Sequence, residues 1–401
     1  MARGSENVRG LPDHRRSVSR LWRPATCMDA PSSPLPPAAD SSPGSPPEAA
    51  PVHRRRPRYS GRNPRRFEEK YKEHDAAQYA ADVEKIVATG KTLAGTHRPI
   101  LVPEILEVLR PRPGERVVDC TLGYGGHARE LLSRVVEGGA SGVLLGLDVD
   151  PLELPRTETR LRAAGHGAAQ LIVRKSNYAG LAKVLGELQW DGADVILADL
   201  GVSSMQLDNP ERGFTYKHDG PLDLRMNPQR GDSAADWLAK ASLQALETVL
   251  HEYSDETRAR EIASGLVAAR ERTPLRRTRA LGDAVREMIP GVRREEQDLT
   301  IRRVFQSLRI AVNDEFAALD TWLRNLPGCL RPGGRVAVLT FHSGEDRRVK
   351  QAFKSGREAG VYSEIAREVI RPGAEELRSN PRSGPAKLRW AVRSMGTTES
   401  A

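Results

Sequence analysis

Residues 116–127 read Arg-Val-Val-Asp-Cys-Thr-Leu-Gly-Tyr-Gly-Gly-His, and this stretch decides the fold. It has the form of a strand that ends in an acid, followed by a glycine-rich turn and the start of a helix. Gly123, Gly125 and Gly126 have no Cβ, so the backbone N–H groups of the turn can approach a ligand closely. The stretch therefore predicts a strand–turn–helix unit that binds a ligand.

A second apolar run, residues 142–147, ends at Asp148. That acid lies about 20 residues after the predicted helix start, the place from which an acid binds both hydroxyls of a ribose. Together, the two stretches predict a pocket for a nucleoside cofactor.

Predicted strands and helices alternate from about residue 97. The strands are 116–119, 142–148, 170–174, 194–199 and 335–341, and the helices are 127–136, 152–164 and 180–188. Repeated units of this kind imply a parallel sheet with helices on both faces. Residues 208–312 interrupt the alternation with apolar residues at helical spacing, which predicts a helical subdomain inserted between the fourth and fifth strands.

The composition divides the chain into five predicted parts. They are a disordered basic tail rich in Pro and Arg (1–66), the first part of the core (67–207), the inserted helical subdomain that recognises substrate (208–312), the second part of the core (313–395) and a disordered C-terminus (396–401). The tail holds 12 of the 28 prolines and too little apolar surface to fold. It also carries a charge of +8 out of the total of +9, which leaves +1 for the rest. Any RNA contact of the folded body must therefore come from local clusters.

Several classes of protein are disfavoured. The chain has no run of 18 apolar residues, so a membrane span is not expected. Cys27, Cys120 and Cys329 are far apart and lack the spacing of metal ligands, which predicts a reducing cytoplasm and no metal.

The glycine turn alone leaves the cofactor open. Gly123, Gly125 and Ala128 also fit the dinucleotide fingerprint G-x-G-x-x-A, so NAD remains an alternative. Two features favour S-adenosylmethionine. They are Asp119 at the end of the first strand and the loop 199–208 at the end of the fourth, since ligands of open α/β sheets bind beyond the carboxyl ends of the strands.

Eight motifs then occur in one order along residues 95–393. They are His97–Glu104, Asp119–His127, Asp199–Asp208, Glu211–Phe214, Asp219–Met226, Phe305–Asn313, Phe341–Ser343 and Asn380–Ser383. In these motifs the chain closely resembles the bacterial 16S ribosomal RNA cytosine-N4 methyltransferase family. It departs from the family's usual pattern at Gly344, at Gly384-Pro385 and at 298–301, positions that bear on loop shape and RNA contact more than on the cofactor.

The resemblance implies a fold, a cofactor and a set of site residues. The fold is the class I S-adenosylmethionine-dependent methyltransferase fold, an α/β Rossmann-like doubly wound sheet, with an inserted helical subdomain. Gly125, Gly126 and His127 would hold the methionine part of S-adenosyl-L-methionine, and Asp148 its ribose. Tyr178 would lie beside the adenine. Asp199 and Gln206 would make the remaining cofactor contacts.

The implied reaction is N4-methylation of one cytosine in the decoding region of 16S rRNA. The implied partner is the 30S subunit or a late assembly intermediate, in the cytoplasm, and the oligomeric state stays open, a dimer included. Asp199 is either the catalytic hydrogen-bond acceptor or a cofactor ligand only. Candidate phosphate contacts are Arg270, Arg272, Arg276, Arg277, Arg279, Arg378, Arg382, Lys387 and Arg389. The rival functions are an NAD-dependent oxidoreductase and an RNA-binding assembly factor without turnover.

Overall fold

A computed structural model describes residues 99–395 of the chain. The predicted tail (1–66), the beginning of the predicted core (67–98, with His97 and Arg98 of the first motif) and the predicted C-terminus (396–401) lie outside the described residues.

The described residues form a seven-stranded sheet with the order β3-β2-β1-β4-β5-β7-β6. The strands are β1 Arg116–Asp119, β2 Val143–Asp148, β3 Leu171–Lys175, β4 Ala193–Asp199, β5 Leu330–Thr340, β6 Tyr362–Ile365 and β7 Lys387–Arg393. The first five strands run parallel, and β7 is antiparallel to both of its neighbours. The order reverses between β1 and β4, so a crevice for a ligand is expected beyond the carboxyl ends of these two strands.

Helices cover both faces of the sheet and form a further layer of their own. They are α1 Val102–Leu109, α2 Gly126–Val135, α3 Leu154–Ala163, α4 Leu181–Glu187, α5 Ser204–Asp208, α6 Ala234–Lys240, α7 Leu243–Ser254, α8 Ala259–Arg272, α9 Thr278–Met288, α10 Arg294–Asn313, α11 Glu315–Cys329, α12 Ser343–Glu358 and α13 Ala374–Ser379. Val117 packs with α1–α3 on one face, and the next residue, Val118, packs with α4, α11 and α12 on the other. The alternation follows from the two-residue period of a strand, and the sheet is thereby buried on both sides.

The helices α6–α10 share a third hydrophobic cluster, centred on residues such as Leu246, Leu266 and Leu308. This cluster occupies the segment between β4 and β5 for which helical spacing was noted. All described residues nevertheless fall within one compact unit. The boundaries of the five predicted parts of the chain therefore stay a prediction.

The predicted doubly wound sheet is confirmed, but it is mixed rather than parallel throughout, and the difference lies at one edge. The strands β6 and β7 were not predicted, and β7 runs antiparallel to β5. The sequence of β7, Lys-Leu-Arg-Trp-Ala-Val-Arg, alternates charged and apolar residues along half its length. It lacks the continuous apolar run that marks a central parallel strand, and β6 has only four residues. The five strands that were predicted are present, and β5 begins at Leu330, before the predicted Arg335.

Candidate active site

A cavity of about 630 Å³ opens at the carboxyl ends of β1, β2 and β4, and residues before α6 and in α10 form its opposite wall. Six of the seven predicted cofactor-binding residues line it. They are Gly126, His127, Asp148, Tyr178, Asp199 and Gln206. The structure therefore brings together residues that lie far apart in sequence, at the sheet edge where ligands are expected.

The glycine-rich turn after β1 is fastened to the end of β2. The N–H of Leu122 donates to the carbonyl of Leu147 at 2.8 Å, and the N–H of Gly123 donates to Asp148 Oδ2 at 2.8 Å. Gly123 has φ +46°, in the left-handed region that costs residues with a side chain about 1–2 kcal/mol. The hydrogen bonds to β2 thus fix the conformation of the turn.

Asp148 retains the capacity to bind a diol. Its Oδ1 accepts from the N–H of Asp150 at 2.9 Å, and its Oδ2 accepts from Gly123. A carboxylate offers about four acceptor sites, so each oxygen can accept one further hydrogen bond. Burial raises the pKa of Asp148 above its usual value, although the two N–H donors act in the opposite direction. These groups fit the hydroxyls of a ribose.

Gly125 is the one predicted cofactor residue that does not line the cavity. A Cβ at Gly125 would lie 2.9 Å from Cγ2 of Thr157, on α3. The hydroxyl of Thr157 also donates to the carbonyl of Gly123 at 2.5 Å. Gly125 is therefore required for close packing of α3 under the turn, and a Cβ at Gly126 would likewise approach Pro99 to 3.1 Å.

His127 contacts the protein on both sides of its ring. Nε2 lies 2.9 Å from the carbonyl of Ile100, which can only accept, so Nε2 carries the proton. In the neutral ring Nδ1 is then an acceptor, and it lies 3.5 Å from Asp199 Oδ2. Burial lowers the pKa of His127. The sequence-based role of His127 was a cofactor contact, whereas the structure shows a side chain that also touches the predicted catalytic acid.

Asp199 stands at the end of β4 with a side chain that is 29% exposed. Its N–H donates to the hydroxyl of Thr121 at 2.7 Å, which fixes the backbone of β4 to the turn after β1. Burial, followed by the charge of Glu345, raises the pKa of Asp199 to about 7. Asp199 therefore titrates near neutral pH, where a carboxyl can both accept and release a proton.

Gln206 belongs to a buried network that sequence reasoning missed. Its Nε2 donates to Asp150 Oδ2 at 2.8 Å, and its Oε1 accepts from the N–H of Ser203 at 2.9 Å. The same Asp150 oxygen accepts from Nη1 of Arg212 at 2.7 Å. Both members of this ion pair are buried, and Gln206 and Asp150 face the cavity. The motif Glu211–Phe214 could have pointed to this network, because Arg212 belongs to the motif and the sequence analysis gave it no role.

Tyr178 is placed by its packing against α11. Its ring meets Trp322 edge to face at 5.9 Å, and its hydroxyl donates to the carbonyl of Glu315 at 3.4 Å. Burial raises the pKa of Tyr178 well above its usual value. Tyr178 therefore packs against α11 and also lines the cavity. Its contact with adenine stays a prediction.

Two further charged groups at the cavity were missed. Arg309 makes a two-pronged contact with Glu315 at 2.8 and 2.9 Å. Glu345 is buried and accepts from the N–H of Phe341 at 2.8 Å. Burial alone would raise the pKa of Glu345, but His342, Arg309 and this N–H together hold it below its usual value. Glu345 is thus a negative charge at the cavity. In the sequence, the only sign of it was its position two residues after the motif Phe341–Ser343.

The side chains of five of the nine predicted phosphate contacts have partners within the protein, and the other four, Arg272, Arg276, Arg279 and Arg378, are exposed. Arg270 donates to two backbone carbonyls, and Arg277 pairs with Asp219 at 2.8 Å. Lys387 and Arg389 both bind Asp346. Arg382 is the predicted phosphate contact that lines the cavity, and it forms a short pair with Asp208 at 2.6 Å.

Within residues 99–395, no group of three or more His, Cys, Asp or Glu side chains is arranged to hold a metal ion. No helix of this range is long and apolar enough to cross a membrane.

The strand order, the glycine turn, the acid at the end of β2 and the acid at the end of β4 define the class of the protein. It is a class I methyltransferase, an enzyme whose cofactor is S-adenosyl-L-methionine. The sulfonium group of that cofactor carries a positive charge, which the acids around the cavity can stabilise.

Comparison with known proteins identifies the family. Residues 94–394 match the model of the MraW methylase family, and the chain belongs to this family. "Ribosomal RNA small subunit methyltransferase H 1" of Lachnoclostridium phytofermentans is 46% identical over 86% of this chain and 94% of its own length. The protein of the same name from Agathobacter rectalis is 45% identical over 85% of this chain and 98% of its own. "Ribosomal RNA small subunit methyltransferase H" of Symbiobacterium thermophilum is 39% identical over 75% of this chain and 98% of its own. The oxidoreductase alternative is thereby excluded.

Proposed function

We propose that this protein transfers a methyl group from S-adenosyl-L-methionine to N4 of one cytosine in the decoding region of 16S rRNA. The names of its relatives support a small-subunit rRNA as substrate. The resemblance in sequence motifs supports the atom and the region, and it also supports the 30S subunit or a late assembly intermediate as the partner. Since ribosomal subunits are assembled in the bacterial cytoplasm, the proposed location is the cytoplasm.

The single observation that carries the chemistry is the placement of Asp199. It lies in the cavity wall beside the turn predicted to hold the cofactor, in contact with His127 and with a pKa of about 7. The exocyclic amine of cytosine is a weak nucleophile, because its lone pair is delocalised into the ring. A carboxylate that accepts a hydrogen bond from N4–H localises this lone pair and stabilises the positive charge that develops on nitrogen.

The residues of the site can be given roles on this basis. S-adenosylmethionine, when bound, supplies an electrophilic methyl group on a sulfonium. Asp148 binds the ribose hydroxyls, and the turn at Gly126 and His127 borders the methionine part. Asp199 orients N4 and takes up the proton that the amine loses. His127 Nδ1, as a neutral acceptor next to Asp199, can share that proton.

The walls of the cavity also favour an unpaired nucleotide. The sheet side and the helical side enclose the site, and a base inside a duplex would not expose N4 to it. The substrate is therefore a single-stranded or flipped-out cytosine.

The test uses purified protein, labelled S-adenosylmethionine and 30S subunits from a strain that lacks this modification. The modified nucleotide is mapped by mass spectrometry, and label on N4 of a single decoding-region cytosine is expected. We expect Asp199→Asn to lower kcat by about 100-fold or more, while the affinity for S-adenosylhomocysteine changes by less than about tenfold. Asp191→Asn is the matched control, since Asp191 precedes the other end of β4 and its side chain is 71% exposed.

Two outcomes would contradict the proposal. Label on naked RNA or DNA, with none on 30S subunits, would overturn the substrate. Cofactor binding without transfer to any nucleic acid would favour the assembly factor without turnover.

A further inference from the structure

The charges around the cavity are sorted by depth. Among the described residues that line it, the exposed ionisable side chains are all basic or histidine. They are Lys217, His218, Arg302 and Arg382. The acids of the lining are all buried or half-buried. They are Asp148, Asp150, Glu153, Asp199, Asp208, Glu315 and Glu345. The mouth of the cavity is therefore cationic, and its interior carries a net negative charge, because the one largely buried arginine of the lining, Arg309, is paired with Glu315.

This arrangement suits two ligands of opposite charge. An anionic interior stabilises a cationic cofactor and repels a phosphate, whereas a cationic mouth attracts phosphates and holds them outside. A nucleotide could then place its neutral base inside while its backbone remains at the mouth. The reverse orientation would bring phosphates next to buried carboxylates.

Lys217 and Arg302 are the rim residues whose charges are least engaged. Within residues 99–395, neither the Lys217 ammonium nor the Arg302 guanidinium forms an ion pair with a carboxylate. The hydrogen bond of the Arg302 side chain runs from Nε to the carbonyl of Asp298 at 3.1 Å. Arg382, in contrast, is paired with Asp208 at 2.6 Å. Lys217 and Arg302 can therefore accept a new anionic partner without first losing one.

The backbone that carries Lys217 is fixed even though its side chain is exposed. The N–H of Lys217 donates to the hydroxyl of Thr215 at 3.2 Å, and the hydroxyl of Thr278 donates to the carbonyl of His218 at 2.9 Å. The neighbouring ring of Tyr216 packs on Phe305 of α10 at 5.9 Å, one helical turn after Arg302. The loop and the helix thus hold both cations on the same side of the mouth, and little backbone ordering is needed when a strand binds.

We propose that Lys217 and Arg302 bind phosphates of a single-stranded RNA segment next to the target nucleotide. The inference rests on the proposed function, and it names the part of the surface through which the RNA enters. It adds to the sequence-based clusters, of which Arg270, Arg277, Lys387 and Arg389 have partners within the protein, while Arg272, Arg276, Arg279 and Arg378 are exposed and stay predicted phosphate contacts.

The test compares Lys217→Ala, Arg302→Ala and the double variant with the wild type in methylation of 30S subunits over a range of salt concentrations. We expect KM for the subunit to rise about tenfold for each substitution, with kcat within about twofold and unchanged affinity for S-adenosylhomocysteine. The slope of log(kcat/KM) against log[salt] should fall by about 0.7–0.9 for each contact removed. Lys350→Ala is the control. Lys350 is also exposed, but it lies on α12 and does not line the cavity, so no change in slope is expected.

Direct binding separates this inference from the proposed function. The same variants are titrated with a single-stranded RNA oligonucleotide that has the decoding-region sequence. One outcome is that the wild type fails to methylate 30S subunits while the double variant binds this RNA more weakly than the wild type and with a smaller salt slope. In that case the contact of Lys217 and Arg302 with RNA is supported, and only the proposed substrate is wrong. If the double variant matches the wild type in both KM and salt slope, the rim does not contact RNA and the inference fails.

Discussion

Asp199 is the residue on which the proposed chemistry depends, and its ionisation sets a pH dependence. Its pKa is raised to about 7, so the acceptor form is lost as pH falls below that value. We expect kcat/KM to rise about tenfold per pH unit below pH 7 and to level off above it. The positive charge of a bound sulfonium stabilises the ionised form of Asp199 and lowers its pKa. The rise of kcat with pH should therefore occur at lower pH than the rise of kcat/KM. Steady-state profiles from pH 5.5 to 9, at limiting and at saturating cofactor, measure both.

Glu345 provides a way to identify the titrating group. Its negative charge raises the pKa of Asp199, so Glu345→Gln should move the rising limb to lower pH. The amide oxygen of Gln can still accept from the N–H of Phe341, which limits the structural damage. Asp119, buried behind the turn with a pKa raised to about 6, is the competing assignment. If Asp119→Asn shifts the profile and Glu345→Gln does not, the limb does not belong to Asp199.

Gly125 carries a prediction about stability. A Cβ added there would lie 2.9 Å from the Thr157 methyl and would require φ +81° of a residue with a side chain. Gly125→Ala should lower the free energy of unfolding by about 2–4 kcal/mol, from overpacking and left-handed strain together. It should also weaken cofactor binding. Urea denaturation and calorimetry with S-adenosylhomocysteine measure these effects.

A second substitution separates the two causes. Thr157→Ser removes the methyl but keeps the hydroxyl that donates to the carbonyl of Gly123. The double variant Gly125→Ala/Thr157→Ser should therefore regain the stability that Gly125→Ala loses through the steric clash. It should not regain the stability lost through the left-handed backbone conformation at residue 125. Equal stability of the single and double variants would mean that the contact with Thr157 is not what requires a glycine.

Single residues differ in how far the sequence revealed them. The positions of Asp148 and Asp199 at the cavity were predictable, because each ends a strand and such ends converge in an open α/β sheet, and Gly126 was predictable from the glycine turn that follows β1. The partnership of Asp150 and Arg212 joins residues that are 62 positions apart. Local patterns carry no information about such a contact, and only the folded chain displays it.

Arg212 links two elements, the loop after β2 and the loop that closes the cavity from the helical side. One guanidinium nitrogen binds Asp150, and the other donates to the carbonyls of Arg225 at 3.1 Å and Met226 at 2.8 Å. Phe214 and Met226 belong to the cavity wall. We infer that Arg212 is a positioning residue that fixes the substrate side of the cavity relative to the cofactor side.

Arg212→Lys tests this role while a positive charge is kept near Asp150. An ammonium cannot reproduce the two arms of the guanidinium, so the contact with the loop should be lost. We expect kcat on 30S subunits to fall about tenfold or more, with affinity for S-adenosylhomocysteine within about threefold. Arg212→Ala, which leaves Asp150 buried without its partner, should cost about 3–5 kcal/mol of stability. Equal losses of kcat and cofactor affinity in Arg212→Lys would instead indicate a general structural role.

The elements themselves were predictable to different extents. The strands β1–β4 were placed within one or two residues, because each is a short apolar run between turn signals. The strand β7 was missed because Lys387, Arg389 and Arg393 give it the appearance of a surface segment. Its charged side chains are in fact used, since Lys387 and Arg389 bind Asp346 of α12. Pairing with β5 and β6 and the burial of Leu388 and Ala391 thus make this segment a strand, and neither can be seen in its local sequence.

At the scale of the whole molecule, charge is divided between the tail and the body. Residues 1–66 carry +8 of the total of +9, so the remaining residues are almost neutral as a whole. The cationic rim of Lys217 and Arg302 is then a local feature on a nearly neutral body. We therefore expect a long-range attraction to nucleic acid to come mainly from the charge of the tail, and placement of the nucleotide to come from the proposed contacts at the rim.

This division predicts that the tail and the site can be separated by experiment. Replacing the 13 arginines of residues 1–66 with glutamine keeps the length of the chain and removes the charge. We expect affinity for non-cognate RNA at low salt to fall about tenfold or more, with a smaller salt slope, because non-specific binding is electrostatic. The kcat on saturating 30S subunits should stay within about twofold, since no tail residue belongs to the set on which the chemistry is proposed to depend. Filter binding over a salt series and steady-state assays measure the two quantities. An unchanged salt slope would show that the tail is merely solvated, and a loss of kcat would show that it takes part in placing the substrate.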